Sequence, residues 1–298
     1  MKYNQLGNSD LQVSEIGFGC MSLGEDHAEN GTILQRALDG GITFFDTADL
    51  YQKGLNEITV GRAFQGIRDK VILATKVGNE WLPDGSSWRW NPSKAHILAA
   101  IDKSLERLQT DYIDLYQLHG GTIDDPIDET IEAFEILKSQ GKIRHYGISS
   151  IRPNVIREYV SRSNIISNMM QYSLLDRRPE ESCLDLLKEN NAGVIVRGGL
   201  AKGLLAGKPP QSYLSYSTEA VSAAAKAVAS ISDDRRLASH SALRYTLAHP
   251  AVSTAAIGIR TMAQLEDILA AVDTPSLTDD ELKILRESVT ANVYEQHR

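Results

Sequence analysis

The stretch Val71-Ile72-Leu73-Ala74-Thr75-Lys76 decides how this chain folds. Four successive apolar residues without polar alternation form a strand covered on both faces, as in a parallel sheet, and polar groups follow at its C-terminal end. Runs of the same kind return at Ile16-Gly17-Phe18-Gly19, Thr43-Phe44-Phe45, Tyr112-Ile113-Asp114-Leu115, His145-Tyr146-Gly147-Ile148, Met169-Met170, Gly193-Val194-Ile195-Val196 and Ala255-Ala256-Ile257. Eight runs separated by helical periodicity predict a closed (β/α)8 TIM barrel. An open, doubly wound sheet is the structural alternative. Against it, Gly17-Phe18-Gly19-Cys20-Met21-Ser22 lacks the third glycine of a dinucleotide fingerprint, and polar residues end many different strands instead of one switch point.

Between the runs, Ile97, Ile101, Leu105 and Leu108 recur at helical spacing, as do Ile127, Ile131, Phe134 and Leu137, and Met262, Leu265, Ile268 and Val272. Each set lays an apolar stripe on one helical face. Asn91-Pro92 and Asp125-Pro126 read as N-caps followed by proline at the first helical position. Thr278 with Glu281 reads as a capping box, and Gly41 and Gly141 as helix stops. Tyr3 to Leu6 and Leu11 to Val13, around Gly7-Asn8-Ser9-Asp10, predict an N-terminal β-hairpin that plugs the barrel floor. Gly199 to Asp234 is a long insertion before the eighth run, with an extra helix over Ala220 to Ser230; it reads equally as a lid or a surface loop.

The 298 residues allow one large barrel or two ordinary domains, and the count of runs selects a single domain over residues 1–298. With 42% hydrophobic and 23% charged residues the chain is neither disordered nor collagen-like. Thirty-one Lys plus Arg against 39 Asp plus Glu gives −8, which argues against a nucleic-acid partner and leaves room for a local basic pocket. Cys20 and Cys183 lie far apart, without a CxxC or a ligand-spaced histidine cluster, and read as buried thiols in a reducing compartment with no metal site. No apolar signal core follows Met1 and no run approaches the ~18 apolar residues of a membrane helix, so no membrane partner and a cytoplasmic location are expected.

Chemistry gathers at strand ends, where barrel active sites are assembled: Asp46, Lys76, His119, Ser149, Gln171 and Arg197, with Tyr51 five residues beyond Asp46. A lysine ending a buried run needs a counter-ion, and Asp46 is the candidate. Beside that lysine the Tyr51 phenolate is expected to be stabilised and its pKa lowered toward a range useful for proton donation. His119 would polarise a carbonyl or share the proton. Any one of these side chains alone would read as structural; together they read as an acid-base constellation.

At this point the sequence resembles the aldo-keto reductase family over nearly the whole chain, with its closest look to the bacterial and potassium-channel β-subunit-like branches. The carrying motifs are Ile16-Gly17-Phe18-Gly19, Phe45-Asp46-Thr47-Ala48 leading to Tyr51, Thr75-Lys76, Asp111 to His119, Gly147-Ile148-Ser149, Gln171-Tyr172 and Gly203 to Lys208. The resemblance implies a catalytic tetrad of Asp46, Tyr51, Lys76 and His119, and an extended NADP(H) bound without a Rossmann domain. It implies hydride transfer to an aldehyde or ketone, with Tyr51 protonating the oxygen, Lys76 and Asp46 tuning Tyr51, and His119 orienting the carbonyl.

Carried over position by position, it implies that Ser149 and Gln171 hold the nicotinamide carboxamide, although Ser150 stands where the family often has asparagine. Arg197-Gly198-Gly199-Leu200 replaces a stacking tyrosine, with Arg197 over the ring or on a phosphate. Lys202 and Lys208 fit a loop over the pyrophosphate. Gly258, Arg260, Gln264 and Asp267 form the adenosine-phosphate end, where Arg260 favours the 2′-phosphate of NADP and Ile268 replaces a frequent asparagine. Trp81 and Trp88, clustered with Trp90, either wall the pocket of a small carbonyl substrate or pack the rim. Gly120-Gly121-Thr122 replaces bulkier residues and suggests a wider entrance.

The leading reading is therefore an NADPH-dependent reductase of aldehydes or ketones. A nucleotide-sensing subunit with little turnover is the alternative, and a cofactor-free isomerase or lyase is a third that leaves Arg260 and Gln264 unexplained.

Overall fold

The computed structural model describes all residues from Met1 to Arg298. The chain opens with β1 (Tyr3–Gln5) and β2 (Gln12–Ser14), an antiparallel hairpin, followed by β3 (Ile16–Gly19), α1 (His27–Asp39), β4 (Phe44–Asp46), α2 (Leu55–Ala63) and β5 (Ile72–Val77). A second hairpin, β6 (Asn79–Trp81) with β7 (Trp88–Trp90), precedes α3 (Lys94–Leu108), β8 (Ile113–Leu118), α4 (Ile127–Ser139), β9 (Ile143–Ser149) and α5 (Pro153–Arg162). Then come β10 (Ser167–Gln171), α6 (Cys183–Glu189), β11 (Gly193–Arg197), α7 (Thr218–Ser230), α8 (Ala238–Leu247), β12 (Val252–Gly258), α9 (Met262–Ala270) and α10 (Asp279–Glu287).

The strands β3, β4, β5, β8, β9, β10, β11 and β12 close in that order into a parallel barrel, one for each apolar run in the sequence. Short apolar runs suffice because each strand is buried twice, once against the helices and once inside the barrel. The inner layer consists of Phe44, Ala74, Leu115, Met169, Ile195 and Ala256, and Leu6, Leu11 and Val13 of the hairpin join it with Ile166. The hairpin thus plugs the floor. It is stitched there by Asn4 Nδ2 donating to the Ser253 carbonyl at 2.9 Å and Ser253 Oγ donating to the Gln5 carbonyl at 3.1 Å. Its turn approaches β10 so closely that a Cβ on Gly7, which has φ +58°, would lie 2.1 Å from the Ile166 carbonyl oxygen. No helix is long and apolar enough to cross a membrane.

Two predicted helix starts move. Ser93, not Asn91, caps α3, its Oγ accepting from the His96 amide at 3.3 Å. The Asn91 side chain is held elsewhere, donating to Glu80 Oε2 at 2.8 Å and accepting from the Ser93 amide. Asp125 does not cap α4 either; its carboxylate accepts from the Thr122 amide (2.6 Å), the Thr122 hydroxyl (2.8 Å) and the Trp90 indole N–H (3.0 Å). Both side chains are drawn into tertiary bonds. The Thr278–Glu281 capping box opens α10, and Gly41 and Gly141 follow α1 and α4 with positive φ. The insertion carries α7, capped by Ser217, which packs against α10.

Candidate active site

Strand parity builds the site. Side chains two positions beyond the inner apolar layer face the same interior, one layer nearer the C-terminal mouth. This places Asp46, Lys76, Gln117, Gln171 and Arg197 above Phe44, Ala74, Leu115, Met169 and Ile195. The intervening Thr75 points outward instead, its hydroxyl donating to Glu57 Oε1 on α2 at 2.6 Å.

Lys76 is fully buried and every ammonium hydrogen is spent: on Asp46 Oδ2 at 2.6 Å, on the Thr47 carbonyl at 2.7 Å and on the Tyr51 hydroxyl oxygen at 3.2 Å. Gln117 Nε2 donates to the other oxygen of Asp46 at 3.2 Å. An ammonium only donates, so Tyr51 Oη is the acceptor and keeps its own hydrogen for another partner. The His119 ring stands edge-on to Tyr51, with centroids 5.8 Å apart, and its Nδ1 is buried without a partner. The loop that delivers Tyr51 is tied down by Thr47 Oγ1 on Asn56, by Asn56 Nδ2 on the Cys20 carbonyl and by Gln52 Nε2 on the Leu23 carbonyl. These ties hold Gln52 and Lys53 at φ +49° and +55°, an uncommon conformation for residues with a Cβ.

Burial pulls the Lys76 pKa down, but Asp46 and Tyr51 more than restore it, so the group stays a cation. Burial also pushes the Asp46 carboxyl up, with Lys76 opposing. For Tyr51 the balance reverses the sequence expectation. Burial raises its pKa above the ordinary tyrosine value, Asp46 adds to the rise, and Lys76 offsets only part of it. The phenol therefore holds its proton. Burial, then Lys76 and Arg197, drive His119 down to about 3, so it is a neutral imidazole at working pH.

Around the mouth, Ser149, Gln171 and Arg197 are the last residues of β9, β10 and β11. Arg197 donates to Gln171 Oε1 at 3.0 Å, and Gln171 Nε2 donates to the Tyr213 hydroxyl at 3.1 Å. Gly199 packs against Thr246, Lys202 is exposed with φ +58°, and the Lys208 stem lies over Gly203. A Cβ on Gly258 would stand 2.6 Å from Ser22 Oγ, a contact that turning the Ser22 hydroxyl would relieve. Arg260 donates through Nε to the Ser22 carbonyl at 3.1 Å, and its amide donates to Gln264 Oε1 at 2.9 Å. Thr261 caps α9, leaving first-turn amides beside Arg260 without helical partners. Arg197, Lys202, Lys208 and Arg260 pair with no carboxylate, which suits a phosphate-bearing dinucleotide. No group of His, Cys, Asp and Glu is arranged to hold a metal ion.

The aldo/keto reductase family model matches residues 15–290. The chain belongs to this family. It is 51% identical to the uncharacterized oxidoreductase YqkF of Bacillus subtilis over the full length of both. It is 34% identical to the NADH-specific methylglyoxal reductase of Escherichia coli, over 72% of each chain. Among solved structures it superposes on aldo-keto reductase AKR11C1 from Bacillus halodurans with TM-score 0.94 for the holo form, at 53% identity and covering 100% and 99% of the two chains. The apo form of the same protein gives 0.86. Membership makes the chain an oxidoreductase of carbonyl chemistry that uses a nicotinamide cofactor and a small carbonyl substrate.

Several expected members of this aldo/keto reductase site have partners of their own. Asp267 is engaged by His240, whose Nε2 lies 2.9 Å from the Asp267 carbonyl and 3.2 Å from its carboxylate. His240 Nδ1 accepts from the Leu237 amide, so Nε2 is the donor, and the pair joins α8 to α9. Trp88 is 49% exposed at the hairpin surface. Trp81, opposite it in the ladder, carries the Lys53 ammonium over its ring at 5.3 Å. Trp90 lies against Gly78 and Gly120 beside His119. Sequence reasoning passed over Gln117 and Tyr213 as site residues. Strand parity would have found Gln117; no local signal marks Tyr213, which arrives from the insertion.

Proposed function

We propose that residues 1–298 act as one catalytic domain that reduces aldehydes or ketones to alcohols with NADPH. When bound, the cofactor supplies the hydride. Asp46, Tyr51, Lys76 and His119 are the catalytic group in this reading. Tyr51 donates its phenolic proton to the carbonyl oxygen, and the Lys76 ammonium stabilises the phenolate left behind. Asp46 and Gln117 keep that ammonium in place, and the uncharged His119 orients the carbonyl by a hydrogen bond. Ser149 and Gln171 would hold the nicotinamide end. Arg197, Gly199, Leu200, Lys202 and Lys208 would line the middle of the dinucleotide, and Gly258, Arg260 and Gln264 its phosphate end.

The observation that carries the reading is the Lys76–Tyr51 bond at 3.2 Å, which leaves the Tyr51 proton free in a buried site. NADPH is preferred to NADH because Arg260 has no carboxylate partner beside the capped end of α9. The test is oxidation of NADPH, followed spectroscopically, with a panel of small aldehydes and ketones. Tyr51→Phe should keep cofactor affinity and lower reduction by about 10²- to 10⁴-fold. Turnover unchanged in that variant would remove Tyr51 from its role, and no turnover with any carbonyl would remove the enzyme reading.

A further inference from the structure

We propose that Tyr213 is a positioning residue for the nicotinamide end of the cofactor, acting through Gln171; this rests on the reading that Gln171 meets the nicotinamide carboxamide. An amide side chain has two faces, and which atom it presents depends on its fixed partners. Here the choice is forced. Arg197 can only donate, so it fixes Gln171 Oε1 on its side at 3.0 Å, and Nε2 is then turned to the Tyr213 hydroxyl at 3.1 Å. One N–H and one oxygen lone pair of Gln171 remain, a donor-acceptor pair of the kind a primary carboxamide complements. Without the Tyr213 oxygen only Arg197 holds the amide, and rotation about its terminal torsion is restrained from one side.

Tyr213 is itself held firmly. It is 9% exposed, although it lies in an insertion of turns and loops. Its backbone exchanges two hydrogen bonds with Tyr216, at 3.1 and 2.9 Å, in a tight turn. Tyr216 Oη donates to the Thr290 carbonyl at 2.8 Å and accepts from the Asn292 amide at 3.1 Å. The C-terminal segment therefore clamps the turn, the turn places Tyr213, and Tyr213 orients Gln171 at the end of β10. Burial raises the Tyr213 pKa, so the hydroxyl stays protonated and serves as a neutral acceptor.

The experiment compares two ligands by calorimetric titration: NADPH, and adenosine 2′,5′-bisphosphate, which lacks the nicotinamide half. Tyr213→Phe should weaken NADPH roughly five- to tenfold, the worth of one hydrogen bond, and leave adenosine 2′,5′-bisphosphate unchanged. Tyr213→Phe combined with Gln171→Ala should bind NADPH no more weakly than Gln171→Ala alone, because the tyrosine acts only through the glutamine. Tyr216→Phe, which loosens the turn without touching Gln171, should give a smaller loss with the same ligand selectivity, and stands in if Tyr213→Phe does not fold. Equal weakening of both ligands, additive effects in the double variant, or unchanged NADPH binding in Tyr213→Phe each overturn the proposal. Wild-type protein that binds neither ligand overturns the cofactor reading together with it.

Discussion

Exchanging His119 for glutamine should change how stability depends on pH, because this histidine is neutral in the fold and ionises freely once unfolded. Burial, Lys76 and Arg197 depress its pKa from 6.5 to about 3. Between those values the unfolded chain binds one proton more than the native one, so native stability falls as pH falls through this window. At about pH 5 the difference amounts to ~1.5 pH units, or roughly 2 kcal/mol lost relative to neutral pH, approaching about 4 to 5 kcal/mol near pH 3. Glutamine keeps a polar head and has nothing to titrate. Urea unfolding followed by circular dichroism at about pH 7.5, 6 and 5 should show wild-type stability falling some 2 kcal/mol more than that of His119→Gln over this range. Parallel stability curves would mean that His119 is protonated or solvated in the native state, and the account of a neutral orienting imidazole would fail. The same account requires that kcat show no inflection from His119 between about pH 6 and 7.

Lys76→Met should destabilise the fold by about 3 to 5 kcal/mol, because it strands the Asp46 carboxylate in the barrel with only Gln117 for company; a loss under about 1 kcal/mol in chemical denaturation would show that the pair is hydrated. Arg260→Ala should weaken NADPH by about tenfold while leaving NADH nearly untouched, and an unchanged ratio of the two affinities would take the 2′-phosphate away from this residue. Gly7→Ala should cost more than about 1 kcal/mol, since a Cβ there meets the Ile166 carbonyl at 2.1 Å in a left-handed backbone; a melting temperature equal to wild type would contradict the tight seating of the floor hairpin.

The barrel was legible because each of its strands is buried on both faces and writes that fact locally, as a short apolar run. The Asp46–Lys76 pairing was legible too, since a lysine at the end of such a run has few places to find a counter-ion. Local grammar misled where a side chain had a better partner far away: Asn91 and Asp125 resemble caps, yet one bonds Glu80 and the other serves Thr122 and Trp90.

By itself, the order of apolar runs, turns and strand-end polar residues determined the architecture, the layer in which the chemistry sits and the identities of Asp46, Tyr51, Lys76 and His119 as candidates. The tertiary structure set the sign of the Tyr51 shift, because burial and Asp46 act against Lys76 and their balance depends on depth and distance. It alone decided that Tyr213 reaches Gln171, across 42 residues of chain. Periodicity records which face of an element is buried. Which polar groups meet there depends on how remote segments are seated, and a linear pattern carries no measure of that.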